Sequence, residues 1–306
     1  MVYKFQVWKG RFVMKFAKKF ADVFDVRMAY IDEGQGDPIV FLHGNPASSY
    51  LWRNIIPYAM NYGRCIAPDL IGMGDSAKLP ESGPDSYTYV EHRRYLDALL
   101  EKLGVRQNVI FVVHDWGAVL GFDWAYRHPD GVRGIAYMEG IIKPRSWDDI
   151  PEPGRTIFQR LRSPEGETMV LEQNSFIEVN LPLTIMRKLT EEEASEYRRP
   201  FAEPGEGRRP MLAWARQLPF DGEPADVAEI VNACGEWMAR SGIPKLFVRA
   251  VPGTLPPEHV EFCRSWPAQK EVAVQGRHYP QEDAPDEVGA ALEAWLRELG
   301  RGASML

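Results

Sequence analysis

A chain of 306 residues that is 45% apolar and 26% charged has the composition of a globular protein with one large core, and is too apolar for a disordered chain. Its 36 basic against 43 acidic side chains give a formal charge of −7, which excludes the usual basic footprint for nucleic acid and favours an uncharged or weakly charged small-molecule substrate. Three scattered cysteines, Cys65, Cys234 and Cys263, form no pair at metal-ligand spacing and read as reduced thiols of a cytoplasmic protein.

The start of the chain is a distinct segment. Lys4, Lys9, Arg11, Lys15, Lys18 and Lys19 fall within residues 1–20 without an accompanying acid. Phe5, Trp8, Phe12, Phe16 and Phe20 recur at three- or four-residue steps, which predicts a helix with an aromatic stripe. Such a helix either packs on the body of the protein or a second subunit, or serves weak membrane-surface binding or targeting. No apolar run in the chain approaches the roughly 20 residues that span a bilayer.

Strand-like runs follow at VRMAYIDEG (26–34) and PIVFLHG (38–44), then a helix over 49–62, a strand at RCIAPD (64–69), the turn LIGMGDS (70–76) and a helix over 89–102. NVIFVV (108–113), the helix after it and the strand GIAYMEG (134–140) continue the beat. Strands alternating with helices at this spacing predict a mostly parallel sheet covered on both faces. Between 143 and 219 the patterns are helical, as in GETMVLEQNSFIEVNL and TEEEASEYRRPF, with no convincing strand. KLFVRAVPG (245–253) and KEVAVQGRH (270–278) resume the sheet, and an amphipathic helix over 285–299 closes it. The expected organisation is an α/β main domain in 17–142 and 220–306, an N-terminal extension in 1–16, and a helical cap in 143–219. A cap inserted there lies over the sheet end at which open α/β sheets bind ligands.

The stretch FVVHDWGAVL (111–120) reads as a buried strand that turns sharply into a helix. In the hydrolase elbow a serine nucleophile stands at the tip of this turn; here it is Asp115, which alone would also serve as a helix N-cap. Its partners favour the chemical role. His278 follows the last strand in a Gly-bearing loop, where the chain order of nucleophile, acid and histidine places the base. The loop after the next-to-last strand, VRAVPGTLP, has no carboxylate, so Glu139 at the end of GIAYMEG is the candidate for the acid that orients the imidazole. His43, His92, His114, His128 and His259 read as structural.

An ionised carboxylate can attack without a base, and its ester with a saturated carbon is an ordinary alkyl ester. The substrate therefore carries a leaving group on sp³ carbon, either halide or epoxide oxygen, and His278 activates the water that hydrolyses the ester. An epoxide oxygen needs a proton donor, whereas halide needs only hydrogen-bond donors. Asn45, in FLHGNPASSYLW, and Trp116, beside Asp115, offer an uncharged amide and an indole N–H. The pair favours halide.

With these residues in place, the sequence resembles the haloalkane dehalogenases of the α/β-hydrolase superfamily. RMAYIDEG, HGNPASSYLWRNIIP, DLIGMGDS, VVHDWG, GIAYMEG and QEDAPDE match that family in order, between Arg27 and Leu299. The resemblance implies Asp115 as nucleophile, Glu139 as orienting acid and His278 as base, with Asn45 and Trp116 as halide-binding donors whose backbone N–H groups form the oxyanion hole. It implies no cofactor, a small halogenated hydrocarbon as substrate and halide ion as product. The segments QNSFIEVNLP, RKLTEEEASEYRRPF and RRPMLAWARQLP also match, which implies Phe158, Phe176 and Trp214, with Leu255, as the lining of an apolar pocket. Two departures stand out: Ala215 where relatives carry Pro, and Pro280 two residues after His278. Coelenterazine-type luciferases share almost every motif and are the alternative reading; HGNP and MEGIIKP favour the dehalogenases. An epoxide hydrolase is disfavoured by Asn45 and by Tyr197 being the one tyrosine in 143–219. A catalytically silent receptor is disfavoured by an intact nucleophile, acid and base.

Overall fold

The structure is a computed structural model that describes residues 5–8, 11–14 and 16–303. Phe5–Trp8 (β1) and Arg11–Met14 (β2) pair antiparallel as a separate ladder. Lys19–Val23 (β3), Val26–Glu33 (β4), Pro38–Leu42 (β5), Arg64–Pro68 (β6), Val109–His114 (β7), Val132–Met138 (β8), Lys245–Pro252 (β9) and Gln269–Gly276 (β10) form one sheet in the order β10-β9-β8-β7-β5-β6-β4-β3. The six strands from β6 to β10 in that order run parallel, while β3 and β4 join one edge antiparallel.

This order decides where the site lies. From β5 the chain moves outward to β6, and from β7 it moves the other way to β8, so the loops after β5 and β7 part from each other. A crevice opens at such a switch point, beyond the C-terminal ends of the strands. Asn45 and Asp115 stand on those two loops.

The central strand β7 is buried at all six positions, as expected of a parallel strand covered on both faces. The covering helices follow from spacing. Tyr95, Leu96, Leu99 and Leu100 form the buried stripe of Tyr89–Lys102, whose N-terminus is capped by the Thr88 hydroxyl accepting from Glu91 N at 3.2 Å. Val288, Leu292, Trp295 and Leu296 do the same for Pro285–Ala303. Between β8 and β9 lie helices including Gly154–Arg162, Glu191–Arg198, Arg209–Gln217 and Ala225–Arg240. The backbone pairing there is limited to isolated bridges of Phe220 with Arg145 and Glu223.

Two sequence expectations fail here. The helix expected over the first twenty residues is not formed: Phe5 and Trp8 belong to β1, Phe12 to β2 and Phe20 to β3. FQVW and RFVM carry Val and Phe, residues of high strand propensity, with Val7 opposite Phe12 and Phe5 opposite Met14 in register, and strand pairing overrides the three-to-four-residue recurrence. Membrane-surface binding or self-association through residues 1–20 rested on that helix and loses its basis; Lys4, Lys9 and Lys15 lie outside the described residues. Lys18 is instead tied inward, 2.6 Å from the buried Asp69 carboxylate. The helix expected over 49–62 is split into a 3-10 turn, Ser49–Trp52, and a short helix, Ile56–Ala59. Pro57 has no N–H to continue a helix and sits in the first turn of a new one.

The three cysteines are free and buried. Among the described residues no helix is long and apolar enough to cross a membrane.

Candidate active site

Asp115 ends the run of β7 in a backbone conformation, φ 53° and ψ −125°, that a side chain other than glycine adopts only under strain. The turn holds its carboxylate at the sheet end, against the loop after β5. Asn45 N donates to Asp115 Oδ1 at 2.9 Å. Gly44 makes this approach possible, since a Cβ there would come within 2.0 Å of the same oxygen. The other carboxylate oxygen, Oδ2, is 3.4 Å from His278 Nε2.

His278 is held from several sides. Its N–H donates to Thr184 O at 3.1 Å, and its carbonyl accepts from the fully buried His114 Nε2 at 2.6 Å. Burial pushes His114 down to about 3, so it serves as a neutral donor. Behind the His278 ring, Nδ1 is 3.7 Å from Glu139 Oε2, too far for a direct hydrogen bond. Thr254 closes the gap. Its backbone N–H donates to Glu139 Oε2 at 2.8 Å and its hydroxyl donates to the same oxygen, while Thr254 Oγ1 lies 3.2 Å from His278 Nδ1. A hydroxyl has one proton; with that proton on Glu139, Oγ1 accepts from the Nδ1–H of the imidazole. Gly253 lets this loop wrap the acid, for it has φ +68° and a Cβ there would lie 2.8 Å from Glu139 Oε1.

The charges reinforce one another. Burial acts to raise the Asp115 carboxyl, but the hydrogen bond and charge of His278 and the Asn45 N–H outweigh it and hold the group below the usual carboxylate value. Burial acts to lower His278, and the carboxylates of Asp115 and Glu139 outweigh it, raising the imidazole to about 9. At neutral pH the two form an ion pair.

Asp115, Trp116, Asn45, Glu139, Thr254 and His278 all line one cavity of about 270 Å³. Phe158, Phe176 and Leu255 are on its wall, and so is Ala215. Asn45 Nδ2 spends one N–H on Met211 O at 3.1 Å, in the helix above, and keeps a second. Tyr279 OH donates to Asn45 O at 2.9 Å, joining the loop of the donor to that of His278. Trp214 departs from expectation. It is fully buried and does not line the cavity; its ring stacks on Trp116 at 4.5 Å and on His92 at 4.0 Å between centroids. It backs the indole of Trp116 and is not part of the wall.

Two groups of residues packed against the site escaped the sequence reading. Thr254 is one, and its signal was present: the loop after the next-to-last strand, noted for lacking a carboxylate, supplies a hydroxyl in its place. Glu282 is the other. Fully buried four residues after His278, it accepts from Arg53 Nη1 and Nη2 at 2.5 and 2.8 Å, Arg187 Nη2 at 2.5 Å and Tyr197 OH at 2.5 Å. The next residue, Asp283, accepts from Met186 N at 2.7 Å and Arg277 N at 2.9 Å. This pair clamps the histidine loop to the helices above it, and it occupies Tyr197 away from the cavity. His43, read as structural, donates from Nδ1 to Gly44 O at 2.9 Å and accepts from Leu70 N at 3.0 Å.

The family model for the alpha/beta hydrolase fold matches residues 37–163. A haloalkane dehalogenase of Sphingobium indicum is 56% identical over 283 residues, which cover 92% of this chain and 96% of that protein. The coelenterazine h 2-monooxygenase of Renilla reniformis is 42% identical, covering 92% and 91%. Among solved structures, the haloalkane dehalogenase DbeA from Bradyrhizobium elkani superposes with a TM-score of 0.88 at 39% identity, over 94% of this chain and 99% of that one. With a carboxylate at the elbow and this degree of identity along nearly its whole length, the chain belongs to the haloalkane dehalogenases of the α/β-hydrolase fold.

Proposed function

We propose that the enzyme hydrolyses haloalkanes through a covalent ester on Asp115, in two displacements on opposite sides of one carboxylate. Asp115 Oδ2 attacks the halogen-bearing sp³ carbon, the carbon–halogen bond breaks, and its electron pair leaves on halide. The indole N–H of Trp116 and the free N–H of the Asn45 amide receive the halide. Both are neutral donors, so they stabilise the departing charge without trapping it. His278 Nε2 then removes a proton from water as the oxygen adds to the ester carbonyl carbon. The resulting oxyanion forms on Oδ1, held by the backbone N–H groups of Asn45 and Trp116. On collapse the second water proton passes to the leaving alkoxide, and alcohol departs. The sum is haloalkane plus water to alcohol, halide and a proton.

Glu139 and Thr254 orient the imidazole and stabilise its cation. Residues 143–219 act as a cap on the main domain, 17–142 with 220–306, and Phe158, Phe176 and Ala215 contribute its side of the apolar wall; residues 1–16 are an extension outside this machinery. The observation that carries the reading is the divided carboxylate: Oδ1 is fixed by Asn45 N at 2.9 Å, and Oδ2 faces His278 Nε2 at 3.4 Å.

A single turnover of 1-bromobutane in water enriched in oxygen-18 tests it. The label is expected in Asp115 and not in the first alcohol released; label in that alcohol with none in Asp115 would overturn the covalent route. The relative that oxidises coelenterazine supplies a second reading. Light from coelenterazine, with no bromide above the Asp115→Ala background, would favour it.

A further inference from the structure

The catalytic cavity has a second, cationic pole. Lys143, Arg145 and His259 line it together with the apolar wall. The backbone of Arg145 is pinned, its N–H donating to Pro219 O at 3.0 Å and its carbonyl accepting from Asp221 N at 2.8 Å. Its side chain is not. Nε is buried without a hydrogen-bond partner, and Asp149, Glu258 and Glu139 act on the guanidinium only through space, with no ion pair among the described residues. The Lys143 ammonium is likewise free of carboxylates and sits 4.8 Å from the centroid of the Phe262 ring. Burial, reinforced by the Arg145 charge, pushes His259 down to about 4, so its imidazole is a neutral hydrogen-bonding group.

A half-buried guanidinium whose buried Nε has no partner is costly, and in folded proteins such a group is commonly met by an anion. Resting on the dehalogenase reading, we infer that Arg145, with Lys143 and His259 beside it, binds a carboxylate at the far end of the substrate, making ω-haloalkanoates a substrate class of this enzyme. The planar guanidinium matches a carboxylate in bidentate fashion. The two poles also fix the direction of binding. A substrate carboxylate is repelled by Asp115 and Glu139 and attracted by Arg145, so the halogen end enters first and meets Asp115. The product is the ω-hydroxyalkanoate, with halide and a proton, by the same balanced steps.

The test measures bromide release from 1-bromohexane, 6-bromohexan-1-ol and 6-bromohexanoate by the wild type, Arg145→Gln and Arg145→Lys. The acid is expected to exceed the alcohol in kcat/KM by about tenfold or more, the scale of one charge-assisted contact. Arg145→Gln removes that ratio and Arg145→Lys retains part of it. An acid no better than the alcohol in the wild type, or an unaltered ratio in Arg145→Gln, overturns the inference. So does an equal loss on all three compounds, which marks a structural or halide-release role. Absence of bromide from every compound, 1-bromohexane included, instead overturns the reading on which it rests.

Discussion

The two ends of the cavity are built differently. At the floor, Asp115, Glu139 and His278 are each fixed by neighbours at hydrogen-bond distance: Asn45 N, Thr254 and Thr184 O. On the wall, Phe158 leans on Phe220 at 5.4 Å between centroids and Phe176 and Leu255 contribute shape alone. Polar atoms have few ways to be satisfied in a dry site, so the floor tolerates one arrangement. Apolar side chains of similar volume replace one another at small cost. On the proposed route, the floor therefore defines the reaction and the wall defines which chains reach it.

The largest effect that would sharpen this contrast comes from the base. His278→Phe lowers turnover by about 10²–10⁴ while alkylation continues, so intact mass shows an ester on Asp115; an unmodified protein would break the floor's assignment. Next comes the clamp under the histidine loop. Glu282→Ala removes the buried carboxylate shared by Arg53, Arg187 and Tyr197, leaving Arg53 only Glu193 at 3.0 Å, and costs about 3–5 kcal/mol in urea unfolding; a loss within 0.5 kcal/mol, the ordinary range of a surface change, would show the loop stands without the clamp. Thr254→Val removes the hydroxyl between Glu139 and His278. It slows ester hydrolysis about tenfold and moves its pH profile, with Thr254→Ser restoring both. If Glu139 closes directly onto Nδ1, the valine variant matches the wild type.

Titration separates the two ends further. The His278 imidazole is raised in the folded protein from 6.5 to about 9. Its contribution to stability is therefore complete below 6.5 and lost as pH rises through about 9. Asp115→Asn brings the His278 resonance back toward its ordinary titration and flattens stability across that window. The smallest effect belongs to the wall. Phe158→Leu reorders haloalkanes within about tenfold, on the scale of one methylene, and leaves the His278 titration in place; a moved titration would show that wall and floor are coupled.

Much of the floor was legible in sequence because its grammar is local. VHDWG, HGNP and MEG each place one side chain at the end of one strand, and the parallel sheet brings those ends together. Thr254 was not legible as a partner, since the 3.7 Å gap that it fills is a matter of loop depth. Trp214 shows the same limit on the wall: helical spacing announces a buried aromatic face, but not whether a ring meets the cavity or the ring in front of it. At the N-terminus the aromatics recur at helical steps, and the pairing of β1 with β2 overrides that pattern. Glu282 lay within a quoted motif, yet its four donors come from positions 53, 187 and 197, scattered along the chain.

On the proposed route, the closeness of Asp115 to His278 also sets the order of events. While Asp115 is a carboxylate it keeps its neighbour a cation, and a cationic imidazole cannot take a proton from water. Alkylation turns that carboxylate into a neutral ester and removes the strongest influence holding the imidazole protonated. The ring then sheds its proton to solvent and becomes a base. On that route the first step arms the second, and charge alone sets their order.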